Sequence, residues 1–146
     1  MASYMFSGRT EQAKAAFRRK ADATILRQQR HWRGAMYLLG YAVECKLKAR
    51  LMEIHRARTL GELEERLSKR IGTRVQLTGK EGHSIVRLVE LTGARTRMDR
   101  ETFIAYTMCA HWRVDWRYDP QEGKETECQE FFESATRFLG FVASSI

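Results

Sequence analysis

Helix breakers are scarce in this sequence: 146 residues hold one proline, Pro120, and ten glycines. Long helices are therefore permitted along almost the whole chain. No apolar run approaches the roughly 20 residues that cross a bilayer, which argues against a helical membrane protein. The opening residues, Met1 to Ser7, lack the basic start and apolar centre of a secretory signal. A cytoplasmic protein with no membrane partner is expected. Cysteine occurs three times, at Cys45, Cys109 and Cys128, with no Cys-x-x-Cys pair. That odd, wide spacing argues against a disulfide framework or a structural zinc site, and no metal or cofactor is expected. Cys45 and Cys109 fall in apolar helical contexts and read as small buried hydrophobes. Cys128 stands among acidic residues, which disfavours a thiolate.

What is present is enough for one core. An apolar content of 43% argues against disorder, and the length suits a single domain, residues 1–146, with its core over about residues 10–142. The net charge of +8 is unevenly placed. Residues 1–33 hold eight Lys/Arg and two acids; residues 101–146 hold four Lys/Arg and eight acids. A basic surplus of this kind attracts nucleic acid or nucleotide phosphate. Equally, the two ends could pack on one another, within or between subunits.

The pattern is helical throughout. A first helix is expected over about residues 10–30, with Ala13, Ala16, Phe17, Ala21, Thr24, Ile25 and Gln28 as its apolar stripe. His31-Trp32-Arg33-Gly34 is the only plausible break before the next helix, so a hairpin is expected there, or else one bent helix. In that second helix Met36, Leu39, Val43, Leu47 and Leu51 recur at steps of three and four and share one face. Tyr37, Tyr41, Glu44 and Lys48 form a second, amphipathic stripe, with Glu44 four residues before Lys48 in the favoured order for an ion pair. The plain reading of this stripe is that it packs and caps a core. A shorter helix follows from Thr59, where Thr59-Leu-Gly-Glu62 has capping-box spacing, and Leu60, Leu63 and Leu67 give it a face. Residues 71–82 are the least regular part and the candidate mobile loop. Helices are then predicted over 83–91, with Gly93 as the stop, from Asp99 as N-cap into Trp112–Pro120, and over about 124–142, burying Phe131, Phe132, Ala135, Phe138, Leu139 and Val142.

The central Tyr-Leu-Leu-Gly-Tyr-Ala-Val-Glu-Cys-Lys-Leu-Lys-Ala segment resembles the signature helix of HEPN domains. These are small helical domains of prokaryotic nucleotidyltransferase partners and of many toxins. Three further elements come in the family's order: Gly82-His83 is similar to its His-Asp-Leu helix start, Trp112 to Pro120 resembles its tryptophan–arginine–tyrosine–aspartate segment, and the acidic-to-aromatic last helix resembles its closing helix. The likeness covers about residues 10–142. It implies an all-α, up-and-down bundle of four or five helices, with a short extra helix here. It also implies a homodimer, work on a nucleotide or RNA, and a nucleotidyltransferase or antitoxin as a possible partner. Active members are metal-independent ribonucleases that use an Arg and, four to six intervening residues on, a His. Here Arg113 is in the right neighbourhood, but Tyr118 stands five residues on. A tyrosine with an ordinary pKa of about 10 is a poor base near neutral pH. Arg50 and His55 have the family spacing but lie on the wrong helix and point about 140° apart.

The binding candidates are Tyr41, Glu44, Lys48, Trp112, Arg113, Arg117 and Tyr118. Arg113 and Arg117 are one helical turn apart if the helix persists. With the flanking aromatics they suit a phosphate held by guanidinium groups and a stacked base. The alternative is that Trp112 and Trp116 are core anchors and that Asp115 and Asp119 neutralise the arginines. The catalytic candidates are Arg113, Tyr118, His111 and His83, although His111, near Thr107 and Met108 on the helix, reads first as a core-edge residue. Three functions are open: a nucleotide- or RNA-binding module, a metal-independent ribonuclease with a non-standard acid/base, and a dimeric assembly protein.

Overall fold

The structure is a computed structural model and describes residues 8–146. The Met1–Ser7 stretch, expected to hold no signal, lies outside the described residues. The described chain is an all-α bundle of six helices: α1 (Arg9–Gln28), α2 (Trp32–Ile54), α3 (Leu60–Ile71), α4 (Ile85–Thr92), α5 (Arg100–Ala110) and α6 (Glu125–Ser145). Three short 3-10 turns lie at Lys80–His83, Arg95–Arg97 and Val114–Tyr118. No described helix is long and apolar enough to cross a membrane.

The second helix is the axis of the bundle. Its apolar face is buried as expected, with Met36, Leu39, Val43, Leu47 and Leu51 each at most 1% exposed. Ala35, Ala42, Ala49 and Met52 are buried too, so burial extends well beyond one stripe. Helices α1, α3, α4 and α6 and the turn after α5 all pack on it. Such all-round burial is the mark of a helix at the centre of a fold.

The expected hairpin is present, but its turn falls at Gln29–His31, and Gly34 lies inside α2. Arg30 takes the left-handed conformation, φ 64°. The His31 N–H donates to the Leu26 carbonyl and the Arg30 N–H to that of Arg27. This pair of bonds is a Schellman cap, usually carried by glycine. The end of α2 repeats it: Arg56 has φ 53°, the Ala57 N–H donates to Met52 and the Arg56 N–H to Glu53.

The face of α1 also differs from expectation. Ala16 and Ala23 are buried and Leu26 packs on the core, whereas Phe17 and Ile25 are 78% and 57% exposed. The reason is close approach to α2. The two helices pack along their length, with Ala16 and Ala23 as the buried residues of α1, so small side chains face inward and the large ones are turned outward.

The shorter elements follow local chemistry. The Thr59 hydroxyl accepts from the Glu62 N–H at 3.2 Å, and Glu62 accepts from the Arg58 N–H at 2.8 Å. The loop over 72–79 is irregular but anchored. Val75 and Leu77 are buried, and their N–H groups donate to Ser68 Oγ and Glu64 Oε1, both at 2.9 Å. Ser84 caps α4, so His83 ends the preceding 3-10 turn and does not open the helix. Gly93 ends α4 at φ 68°, and Asp99 caps α5 by accepting from the Thr102 N–H at 2.7 Å. The inward residues of α5 are Thr102, Ala105, Tyr106 and Cys109. This helix stops at Ala110 and does not run on through Trp112. The last helix buries Phe131, Phe132, Ala135, Phe138 and Val142 as expected, with Leu139 partly covered.

Two substitutions separate the backbone and packing terms. Arg30→Gly removes a left-handed side-chain penalty of about 1–2 kcal/mol against a glycine entropy cost of about 0.5–1 kcal/mol, so urea denaturation should show a small gain in stability. Leu47→Ala should lose about 2–5 kcal/mol in the same assay; wild-type stability would show that the central face is not core.

Candidate functional site

The amphipathic row on α2 is buried. Glu44 and Lys48 are 3% and 5% exposed. Removing two charges from water is expensive unless their hydrogen-bonding capacity is met. Here Lys48 Nζ donates to Glu44 Oε2 at 2.9 Å, and Glu44 Oε1 lies 2.7 Å from His83 Nδ1. The carboxylate is thus bonded along its own helix and to a ring held by the turn before α4. That turn is fixed by a glycine: a Cβ on Gly82 would lie 1.8 Å from the Leu77 carbonyl oxygen.

The bond also orients the imidazole. A neutral His83 facing an ionised carboxylate must donate from Nδ1, which leaves the accepting lone pair on Nε2. The His83 side chain is 32% exposed, against 3% for Glu44. It meets Tyr41 edge-on, with ring centroids 6.0 Å apart. Tyr41 in turn meets Trp112 at 5.3 Å and Tyr37 at 5.2 Å, both edge-on, while Tyr37 and Trp112 stack at 6.4 Å. Burial, with Tyr37 beside it, pushes the Tyr41 hydroxyl well above the ordinary phenol range. It is a donor here and not a base.

Trp112 is buried, and its indole N–H donates to the Tyr37 carbonyl at 3.0 Å. Its seat is Gly40, where a Cβ would lie 2.0 Å from Trp112 Cδ1. No other residue leaves room for the indole without displacement. Trp112 is therefore an aromatic floor and not an exposed stacking surface.

Beyond Trp112 the expected α-helix is absent. Arg113 is extended and Val114–Tyr118 is a 3-10 turn, so the α-helical register that would set Arg113 and Arg117 one turn apart is absent. Arg113 and Arg117 therefore do not make the paired clamp that an α-helix would give. Arg113 is exposed and bound to Asp115 at 2.8 Å, the local neutralisation that the sequence left open. Arg117 lies over Tyr118, 4.8 Å from its ring centroid, and neighbours Tyr37 and Tyr41. Tyr118 itself is 73% exposed. Arg113, Asp115, Trp116, Tyr118 and Asp119 line a shallow surface hollow. The cluster thus has a buried end, Lys48–Glu44–His83, and an open end, Arg117 and Tyr118, joined by Tyr41, Tyr37 and Trp112.

The other three histidines are placed outside it, with His31 exposed at the start of α2. His111 is exposed at the end of α5 and is not the core-edge residue expected. His55 ends α2; burial, then Arg70 and Arg66, holds its pKa below the ordinary value. Arg50 is engaged with the Ile146 carbonyl and Glu53, so the Arg50–His55 spacing is coincidental. The thiols are free and buried; burial raises Cys45 to about 11 and Cys109 to about 12, and it also raises Cys128. None is poised as a thiolate. Among the described residues no group of three or more His, Cys, Asp or Glu is arranged to hold a metal ion.

Arg33 is the residue that sequence reasoning missed. Its side chain, 15% exposed, pairs with Asp119 at 3.3 Å and Glu127 at 3.6 Å and lies over Trp116 at 4.9 Å. Its backbone N–H donates to Glu122 at 3.2 Å. One side chain at the start of α2 so fastens the whole stretch that carries Arg117 and Tyr118. The partners are more than 80 positions away in sequence, and no local pattern marks them.

Fold and site together define an all-α bundle with a charged and aromatic cluster between its central helix, the turn before α4 and the turn after α5. Comparison of the chain with protein-family models, with curated proteins and with solved structures gives no match.

The buried pair gives a direct test of this arrangement. Glu44→Ala leaves Lys48 without its counter-ion and should cost about 3–5 kcal/mol. Adding Lys48→Met should return most of that loss, because the double variant buries no lone charge. Chemical denaturation of the two variants measures both; a Glu44→Ala protein as stable as wild type would mean that the pair is solvated.

Proposed function

We propose that this protein is a cytoplasmic nucleotide- or RNA-binding module that engages its ligand at the open end of the Glu44–His83–Tyr41–Arg117 cluster. The single observation that carries the reading is the convergence of three separate elements on one spot. The turn after α5 brings a guanidinium (Arg117) and an exposed aromatic (Tyr118), the turn before α4 brings a partly open, carboxylate-bonded histidine (His83), and the tyrosines of α2 with Trp112 link the two. Arg117 supplies a fixed positive charge for phosphate, and Tyr118 a face on which a base stacks. Glu44 and Lys48 act from below by holding His83, and Trp112 by holding the tyrosines. Arg113 contributes at the rim. The HEPN resemblance of the same residues agrees with this reading, and it makes a nucleotidyltransferase or an antitoxin the kind of protein that would act with this one.

A second reading, ribonuclease, is favoured by the 2.7 Å contact between Glu44 and His83 Nδ1. With Nδ1 engaged, Nε2 is free to take the proton of a ribose 2′-hydroxyl. The oxygen so freed attacks the adjacent phosphorus, and the 5′-oxygen leaves with a proton from water. Arg117 would offset charge on the phosphate.

The test is titration of labelled mixed-sequence RNA and of mononucleotides, with chelator present and the RNA length followed in the same samples. Wild-type binding should weaken with salt. Arg117→Ala should bind more weakly and lower the log–log salt slope by about 0.7, one phosphate contact on a single strand. Tyr118→Ala should lose about 1–3 kcal/mol, one stacked base. No binding of either ligand, or unchanged binding by both variants, rejects the module. Cleavage that disappears with His83→Ala replaces binding by the ribonuclease reading.

A further inference from the structure

Two faces of the molecule lie outside the site and are opposite in charge. Helix α1 carries six basic and two acidic residues, and α6 four acidic and one basic. Among the described residues no ion pair joins α1 to α6, although Arg27 of α1 lies over Phe132 and shares a hollow with Glu133. Among the described residues the only ion pair of α1 is Arg19–Asp22, inside the helix, and the ion pairs of α6 are Arg137–Glu101 and Glu127–Arg33. Lys14, Arg18 and Lys20 on α1 and Glu130 on α6 are exposed and in no ion pair among the described residues.

Each face also carries apolar surface. On α1, Phe17 and Ile25 are 78% and 57% exposed, and the steps Lys14, Phe17, Ala21, Ile25 put them on one side of the helix. Phe17 overhangs a groove of about 280 Å³ floored by Ala16, Ala42 and Leu139 and rimmed by Lys20 and Lys46. On α5, Ile104 is 51% exposed. It lines a groove between α5 and α6 together with Ala105, Glu133 and Ser134. Glu130 lies one turn before Ser134 on the same side. Arg137, the one cation there, is held by Glu101 at 2.8 Å.

We infer that the occupant of the basic apolar face of α1 is the acidic apolar face of α5 and α6 on a second copy of this chain. The two surfaces match in sign and in kind: a projecting phenylalanine among lysines and arginines, and an isoleucine-lined groove among glutamates. The contact joins unlike faces, so it differs from a pairing of one patch with itself. Repeated, it closes into a ring or extends as a filament. It does not depend on the nucleotide reading, since none of its residues belongs to that cluster.

The experiment is analytical ultracentrifugation of the full chain at low and high salt. Wild type should associate at low salt, and salt should weaken the association. Phe17→Glu should weaken it by about tenfold or more, the equivalent of about 1.4 kcal/mol. The charge reversals Lys14→Glu/Arg18→Glu and Glu130→Lys/Glu133→Lys should each abolish association. Mixing those two variants pairs the unchanged α1 face of one with the unchanged α6 face of the other, and the two reversed faces with each other, so association should return as a mixed assembly. All these positions are exposed, and circular dichroism confirms the fold of each variant. A monomeric wild type at low salt overturns the inference, as does association unaffected by the reversals or a mixture that fails to associate. Loss of RNA binding by Lys14→Glu/Arg18→Glu with unchanged sedimentation also overturns it and assigns the face to nucleic acid.

Discussion

Burial of α2 on almost every side is the constraint on which the other features depend. A helix that carries Glu44 and Lys48 into the centre of a bundle has to satisfy both charges there. One partner comes from the same helix; the other, His83, has to be brought from a different element. The turn at Lys80–His83, the glycine that lets it approach Leu77, and the anchored loop before it can all be read as delivering that ring. The same demand for closeness acts along α1, where alanines meet α2 and the larger side chains are left outside.

The aromatic part of the cluster depends on a second closeness. Trp112 reaches the flank of α2 only because residue 40 has no side chain. The indole then bonds the carbonyl of Tyr37 and meets the ring of Tyr41. Tyr41 is thereby held between Trp112 and His83, and its hydroxyl is kept protonated by burial.

Much of this was legible in the sequence, and the failures have physical causes. The central face, the Thr59 cap, the Gly93 stop and the buried face of α6 follow from local periodicity and capping, and all are present. Grouping Tyr41, Glu44 and Lys48 was legible for the same reason, because helical spacing alone places them together. The α1–α2 turn was misplaced because its left-handed position is an arginine. Glycine marks such caps in sequence, and Arg30 and Arg56 do not. The phase of α1 was misread because periodicity rewards large apolar residues, whereas close helix packing rewards small ones. The end of α5 at Ala110 was missed because nothing before Pro120 signals a stop, and with it went the expected alignment of Arg113 with Arg117. Arg33 was out of reach of any local argument, since every partner it holds lies on a distant segment.

That clamp has a consequence for motion. The stretch from Arg113 to Lys124 has no α-helical ladder of its own, only one 3-10 turn and a few local bonds. The guanidinium of Arg33 ties it at Asp119 and Trp116, Trp116 also packs on Phe131, and Val114 on the core. A segment held by side-chain contacts and not by a helical ladder can open as a unit without melting the helices beneath it. Its amides would then exchange with solvent well before those of α2. The open end of the cluster would rise and fall on its own timescale, while the buried carboxylate and histidine stayed in place.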